Sequence, residues 1–473
     1  MNTQQQQIES VIVGLGATGL SVARHLASQH RDFVVVDSRE NPPGRDDLKR
    51  DYPEVISHFG DFDTPWLTRA KLLIVNPGIA VSTPEIQQAK RAGINVIGDI
   101  ELFAQHIAND GNEKPVIAIT GSNGKTTVTS LLDLMAKKSG VKVATGGNIG
   151  TAALDLLIDK DSELFILELS SYQLETTPSL QTLAAVILNV SEDHLDRYNN
   201  DLKEYAEAKS AIYHNCKHIV FNREDVYSTQ FANQVKDAET HVSFGLDAPE
   251  DGHYGLVQKS GVTWLAKGTT PLMPVDEIKL PGRHNIANAL AALALGKMAG
   301  LHLSAMLDTL REYAGMTHRT QWLTELNGVN WYNDSKGTNV GATLAALSGL
   351  PGKTVLIAGG QGKGADFTPL GRAINEKARA VILMGEDANK IADVIANTAG
   401  NGMVDVVFVK SMSEAVNKAY QLAQGNEQDN VLLSPACASF DMFDNYAVRG
   451  EVFMREVENL ERLVKAGKGV EYV

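Results

Sequence analysis

Through the first hundred positions, short apolar runs alternate with stretches in which apolar side chains recur every three or four residues. Strands are expected at residues 11–14, 33–37, 72–75 and 95–97, and helices at 18–29 and 85–92. That order predicts a doubly wound parallel sheet. A helix over residues 99–107 then leads into the polar stretch 109–114, which reads as a linker.

The alternation resumes with an apolar strand at 116–120 and a helix in which Val128, Leu131, Leu132 and Met135 share one face and Gly140 closes the segment. Strands at 141–144, 164–169 and 184–190, a helix over 201–214, an irregular strand-rich stretch at 240–280 and an Ala- and Leu-rich helix at 285–298 follow. The pattern breaks near 313–318. A third alternating series then places strands at 331–334, 354–358, 380–384, 404–409 and 431–433. The expected fold is therefore α/β in three domains, residues 1–104, 105–315 and 316–473, the first and last Rossmann-like and the central one, opened by the glycine-rich turn Gly121-Ser122-Asn123-Gly124-Lys125-Thr126 between strand and helix, like a P-loop ATPase.

A chain of 473 residues, 43% hydrophobic, allows each such domain its own core. A formal charge of −14 argues against nucleic acid as a partner, so acidic small molecules must be captured by local Lys and Arg. Cys216 and Cys437 stand far apart, which offers neither a disulfide framework nor a zinc cluster and suits a reducing compartment. The polar residues 1–10 lack the features of a signal peptide, and no apolar run reaches about 18 residues, so a cytoplasmic monomer without membrane insertion is expected.

The strand at 116–120 runs into Gly121-Ser122-Asn123-Gly124-Lys125-Thr126-Thr127 and then a helix, the setting of a phosphate cradle for ATP. Glycines admit phosphate to the backbone, Lys125 can neutralise it, and the Thr126 hydroxyl can ligate magnesium. Ile119 occupies the place of the usual first glycine, which makes this a variant loop. Gly14-Leu15-Gly16-Ala17-Thr18-Gly19, with Asp37 after the second strand, fits three ligands in descending order: a UDP-type diphosphate, NAD, or none, as a structural turn. The glycine-rich turn 145–150 follows its own strand and could line the ATP cleft or be a plain loop.

Glu168 near the end of an apolar strand is placed to hold magnesium. His194, in the polar cluster 189–196, is either a second metal ligand or an ordinary satisfied histidine, and Lys209 alone reads as a solvated helix lysine. In the third domain three strands end in polar groups, at 333–339, 359–364 and 434–439, which suggests a site at the sheet's edge.

Taken together, these motifs resemble the Mur ligases over nearly the whole chain, most closely the members that attach D-glutamate to UDP-N-acetylmuramoyl-L-alanine in peptidoglycan synthesis. The marks are residues 120–125, 146–150, 167–171, 189–196, 284–285, 318–319, 333–336 and 434–439. The resemblance implies ATP with two magnesium ions and an acyl-phosphate intermediate. It implies metal binding by Thr126, Glu168, His194 and a carbamylated Lys209, and ATP binding by residues 121–127 with Asn285, Asn288, Arg319, Asp334 and Lys336. It assigns Gly16, Ala17, Thr18, Asp37, Ser38, Arg39, Asn76, Gly78 and Asn148 to the UDP-substrate, and Thr338, Lys363, Ser439 and Tyr446 to D-glutamate. Asn76 replaces a common serine and Tyr446 a common phenylalanine of the family, and Thr126 stands where some relatives carry serine. Other ligases of the superfamily share the ATP machinery. An NAD-dependent oxidoreductase would explain residues 14–37 but not Lys125, and a regulatory nucleotide-binding module would explain Lys125 but not the third-domain strand ends.

Overall fold

The structure is a computed structural model that describes residues 8–62, 65–109, 114–191, 195–280, 282–315, 317–362, 365–398, 404–423 and 429–466. It forms two compact units, Met1–Val275 with Ala287–Thr309, and Asp276–Ile286 with Leu310–Val473.

The first unit carries two sheets. Five parallel strands lie in the order Ser57–Phe59, Phe33–Asp37, Ile8–Val13, Ala70–Val75, Asn95–Ile97, the doubly wound arrangement expected from the alternation. Nine strands form the second, in the order Thr270–Pro274, Val262–Lys267, Tyr254–Lys259, Thr240–Phe244, Cys216–Asn222, Thr182–Ile187, Val116–Thr120, Leu164–Glu168, Val143–Gly147. It is parallel except for the meander of its first three strands. Strands that are apolar on both faces belong in the middle of such a sheet, and Val116–Thr120 and Leu164–Glu168 are buried throughout.

One continuous apolar core reaches from Ile12, Leu15 and Leu26 of the first sheet's layer to Phe103, Phe165 and Leu167 of the second. Helix Asp99–Asn109 bridges the two: Phe103 meets Phe165 edge to face at 5.2 Å, and burying two such rings stabilises the junction by roughly 2–3 kcal/mol each. Arg24 adds an ion pair with Asp155 across the same junction.

The second unit holds six strands in the order Gln321–Leu326, Val329–Asn333, Asn430–Leu433, Thr354–Ala358, Ala378–Leu383, Asp405–Phe408, with the first antiparallel. Apolar clusters cover both faces, one around Trp331 and Phe453 and the other around Leu356 and Leu370.

Several boundaries differ from the sequence expectation. The strand expected at 141–144 is Val143–Gly147, so Gly146 and Gly147 are sheet residues and the turn starts at Asn148. The helix expected over 201–214 is Leu202–Ser210, N-capped by Asp201, and tightens into a 3₁₀ turn at Ala211–Tyr213. Strands Cys216–Asn222 and Gln321–Leu326 were not signalled, because both mix polar with apolar residues. Among the described residues no helix is long and apolar enough to cross a membrane. Cys216 and Cys437 are both buried thiols whose pKa burial raises, to about 11 and about 12.

Candidate active site

At the carboxyl end of Val116–Thr120 the chain turns through Gly121 to Gly124 and enters helix Lys125–Lys138. Gly124 has φ +83, and a Cβ there would collide with the Asn288 carboxamide, so backbone conformation and close packing both require glycine. Asn189 fixes the loop: its backbone oxygen accepts from Ser122 N (2.8 Å), its Oδ1 accepts from Asn123 N (2.8 Å), and its Nδ2 donates to the Asn123 carbonyl (3.0 Å). The helix's first turn, whose N–H groups its own carbonyls do not reach, begins directly after. Lys125 Nζ folds back to donate to the carbonyls of Gly121 (2.6 Å) and Ser122 (3.0 Å).

Lys209 donates to the same Gly121 carbonyl (3.1 Å) while lying over the Tyr205 ring at 4.4 Å. It is 1% exposed, so the reading as a solvated lysine is corrected by its burial. The Ser122 hydroxyl lies 3.2 Å from the Tyr205 hydroxyl, and Thr126 is buried in the first helical turn.

Glu168 pairs with Ile119 in the neighbouring strand, which sets its carboxylate beside the loop's entry. Its Oε1 accepts from Asn148 Nδ2 (3.0 Å), and its backbone oxygen accepts from Asn148 N (2.8 Å). Oε2 is buried without a hydrogen-bond partner. A buried carboxylate oxygen is costly when orphaned, which suits a site for a cation. His194, the second expected metal ligand, lies outside the described residues, among which no cluster of three or more His, Cys, Asp or Glu could hold a metal.

In the first sheet, the glycine turn packs directly on the segment 76–79: Gly14 has φ +98, and a Cβ there would strike Asn76 and Ile79. Ala17 and Thr18 open helix Ala17–Ser28 beside it. Asp37 is 1% exposed and fully engaged. Its Oδ2 accepts from Leu15 N (2.7 Å) and from Arg39 Nη2 (2.7 Å), and its Oδ1 accepts from Arg39 N and Nε (both 2.9 Å). Burial pushes this carboxyl's pKa up, but the guanidinium and the two backbone N–H groups outweigh it and hold it below the usual range. Ser38 and Arg39 are exposed at the rim. The acid that would bind a ribose diol in an NAD site thus has both oxygens committed to the protein.

In the second unit the three expected polar strand ends lie on neighbouring strands. Gly359 N donates to Pro435 O (2.9 Å), Ala436 N donates to Gly337 O (2.9 Å), and Gln361 and Ala438 exchange backbone bonds of 2.9 Å. Asp334 receives Ser434 Oγ (2.6 Å) on Oδ2 and Thr320 N (3.0 Å) on Oδ1. Burial raises its pKa to about 6 against the opposing pull of Ser434, Thr320 and Arg319. Arg319 Nε is buried without a hydrogen-bond partner, a donor suited to an anionic ligand. Lys336 lies over the Tyr446 ring at 5.6 Å, Ser439 is buried, and Thr338 lies two residues from Lys336. Lys363 falls outside the described residues. Asn285 and Asn288 are both buried, three residues apart and so on one face of helix Arg283–Met298.

Sequence reasoning missed Arg449. This arginine, 2% exposed, donates to Ser335 Oγ (3.0 Å), Ser335 O (2.8 Å) and Cys437 O (3.1 Å), tying two of the strand ends together. Its position inside helix Tyr446–Lys465 gave no signal, because its acceptors lie on remote turns.

Residues 8–98 match the family described as Mur ligase MurD-like, N-terminal domain, residues 119–296 the Mur ligase middle domain, and residues 318–437 the Mur ligase, glutamate ligase domain. The UDP-N-acetylmuramoylalanine--D-glutamate ligase of Nitrosococcus oceani is 49% identical over 453 residues, 95% of this chain and 96% of that protein. That of Pseudomonas putida is 48% identical over 95% of this chain and 97% of its own length. Among solved structures, MurF from Acinetobacter baumannii shares the fold with a TM-score of 0.58 at 16% identity, over 95% of this chain and 91% of that one. UDP-N-acetylmuramate-alanine ligase MurC from Thermotoga maritima does so with 0.54 at 18% identity, over 96% and 100%. With three successive segments matched and nearly half its residues shared with full-length relatives, the chain belongs to the Mur ligase family.

Proposed function

We propose that this chain joins D-glutamate to UDP-N-acetylmuramoyl-L-alanine, using ATP, in cytoplasmic peptidoglycan synthesis. Residues 1–104 would receive the uridine nucleotide, 105–315 ATP and 316–473 D-glutamate, in a chain working as a monomer. The observation that carries the reading is Glu168, a buried carboxylate with one oxygen held by Asn148 and the other without a partner, at the mouth of a phosphate loop.

That oxygen and the buried Thr126 hydroxyl fit magnesium, which when bound would neutralise phosphate charge during transfer. The implied second ion rests on His194 and Lys209. A carboxylate is a poor electrophile until one of its oxygens becomes part of a leaving group. The L-alanyl carboxylate oxygen would take the γ-phosphoryl group and release ADP. The D-glutamate amine would then attack the carbonyl carbon, expel phosphate with that oxygen, and lose a proton to give the amide.

Lys125 would exchange the Gly121 and Ser122 carbonyls for phosphate oxygens, and the N-terminus of its helix would add partial positive charge. Asn148 would orient Glu168, and Arg319 would offer its buried Nε to the nucleotide. Lys125 and Lys209 donate to one carbonyl oxygen, so two ammonium groups there repel each other; a carbamate on Lys209 would replace the second cation with an anion. In D-glutamate capture, Thr338, Ser439, Tyr446 and Lys363 would share the work.

Assays with ATP, UDP-N-acetylmuramoyl-L-alanine and D-glutamate test the reading. ADP and the new amide should form only when all three are present. Turnover that depended on NAD, or ADP release without the amide, would contradict it.

A further inference from the structure

Arg197 belongs to the 3₁₀ segment Leu195–Tyr198 of the second sheet's layer, yet its guanidinium serves the first. Nη1 donates to Pro77 O (2.9 Å) and Nη2 to Ile79 O (3.3 Å), across more than a hundred residues of sequence. The head is itself fixed: Nη2 also pairs with Glu175 (2.9 Å), and the guanidinium lies 4.1 Å over the Tyr172 ring. Glu175 accepts from the Tyr198 hydroxyl (2.6 Å), Tyr198 packs on Tyr205 at 5.4 Å, and the Tyr205 hydroxyl lies 3.2 Å from Ser122 Oγ in the phosphate loop. A continuous set of contacts therefore joins the segment 76–79 to the phosphate loop.

The peptide bond supplies the consequence. In a trans peptide the C=O and the following N–H point in opposite directions, so a guanidinium holding Pro77 O turns Gly78 N–H away from itself. Among the described residues that N–H has only a long contact with Asn76 Oδ1 (3.4 Å), which an anionic oxygen can replace. Asn76 in turn packs against the glycine turn at Gly14.

We propose that Arg197 is a positioning residue that sets the Pro77–Gly78 peptide plane so that Gly78 N–H is presented to the diphosphate of the uridine nucleotide, from a support shared with the phosphate loop. The proposal rests on the reading of residues 76–78 as a diphosphate-binding segment.

Calorimetric titration of the full chain with UDP, and separately with a non-hydrolysable ATP analogue and magnesium, tests it. Arg197→Met should raise the Kd for UDP about tenfold or more, as expected for losing a charge-assisted contact that preorganises the site, with the analogue's Kd held within about twofold. Arg197→Lys, which keeps the charge but cannot span both carbonyls, should fall between wild type and Arg197→Met, and it decides the matter if the methionine variant fails to fold. In turnover, the KM for the UDP-substrate should rise while kcat and the KM for D-glutamate hold. Unchanged UDP affinity in a folded variant, or equal losses of UDP and analogue binding, would overturn the role of Arg197 while leaving the substrate reading intact. Failure of the wild-type chain to bind UDP would overturn that reading, and this role with it.

Discussion

Replacing Arg449 by methionine separates two effects that oppose each other. The side chain is 2% exposed, and its three hydrogen bonds satisfy two backbone carbonyls and one hydroxyl. Methionine fills much of the stem's volume but donates nothing. Leaving the Ser335 and Cys437 carbonyls unpaired costs about 1–3 kcal/mol each, whereas Ser335 Oγ keeps its bond to Tyr446 O (2.8 Å). Against that loss, burial lowers the guanidinium pKa well below its ordinary value, to about 10, a penalty of roughly 3 kcal/mol that vanishes with the charge. The net destabilisation should therefore be modest, about 1–2 kcal/mol, less than the bond count suggests. Function should suffer more: the freed strand ends lose their register, and the KM for D-glutamate should rise about tenfold. Hydrogen exchange in increasing urea, read on strand Asn430–Leu433, localises the stability change to the second unit. A loss above about 5 kcal/mol would refute the desolvation offset, and an unchanged KM would refute the positioning role.

Glu168→Gln should lower kcat at least a hundredfold while leaving thermal stability equal or higher, because the buried oxygen it replaces has no hydrogen-bond partner among the described residues; paired turnover and calorimetry check both. Lys209→Ala should abolish turnover, with partial recovery in bicarbonate or a short-chain carboxylic acid, and full activity without rescue would remove the carbamate role. Asp334 has a folded pKa of about 6 against 3.8 in the unfolded chain, so its ionised form costs stability. That cost is absent below about pH 4, grows through the window, and reaches at most about 3 kcal/mol above pH 6. Asp334→Asn should flatten this part of a stability–pH profile and remove an acid limb near pH 6 from kcat/KM for ATP.

The alternating fold was legible because buried parallel strands such as Val116–Thr120 and Thr354–Ala358 are apolar on both faces. Strands that mix polar with apolar residues were not: Cys216–Asn222 is only partly buried at several positions, and Gln321–Leu326 pairs on one side only, with side chains that follow no strict alternation. The strand–glycine turn–helix at 116–138 and the adjacency of the polar strand ends were legible as geometry, because a tight turn there calls for glycine and strand ends carry polar residues. The burial of Lys209 was not legible in the sequence, since it arises from packing between its helix and the Gly121 turn. Arg197 and Arg449 could not be read at all. Each satisfies backbone carbonyls, which carry no residue identity, so nothing at the acceptor's position in the sequence announces the donor.

Asp37 has a consequence for inhibitor design. With Leu15 and Arg39 already occupying both of its oxygens, this carboxylate is not a receptive acceptor for the adenosine hydroxyls of compounds patterned on nicotinamide or flavin dinucleotides. If the proposed function holds, selective chemistry would be aimed at the exposed Ser38 and Arg39 edge, where a pyrimidine-like head would be told apart from redox cofactors.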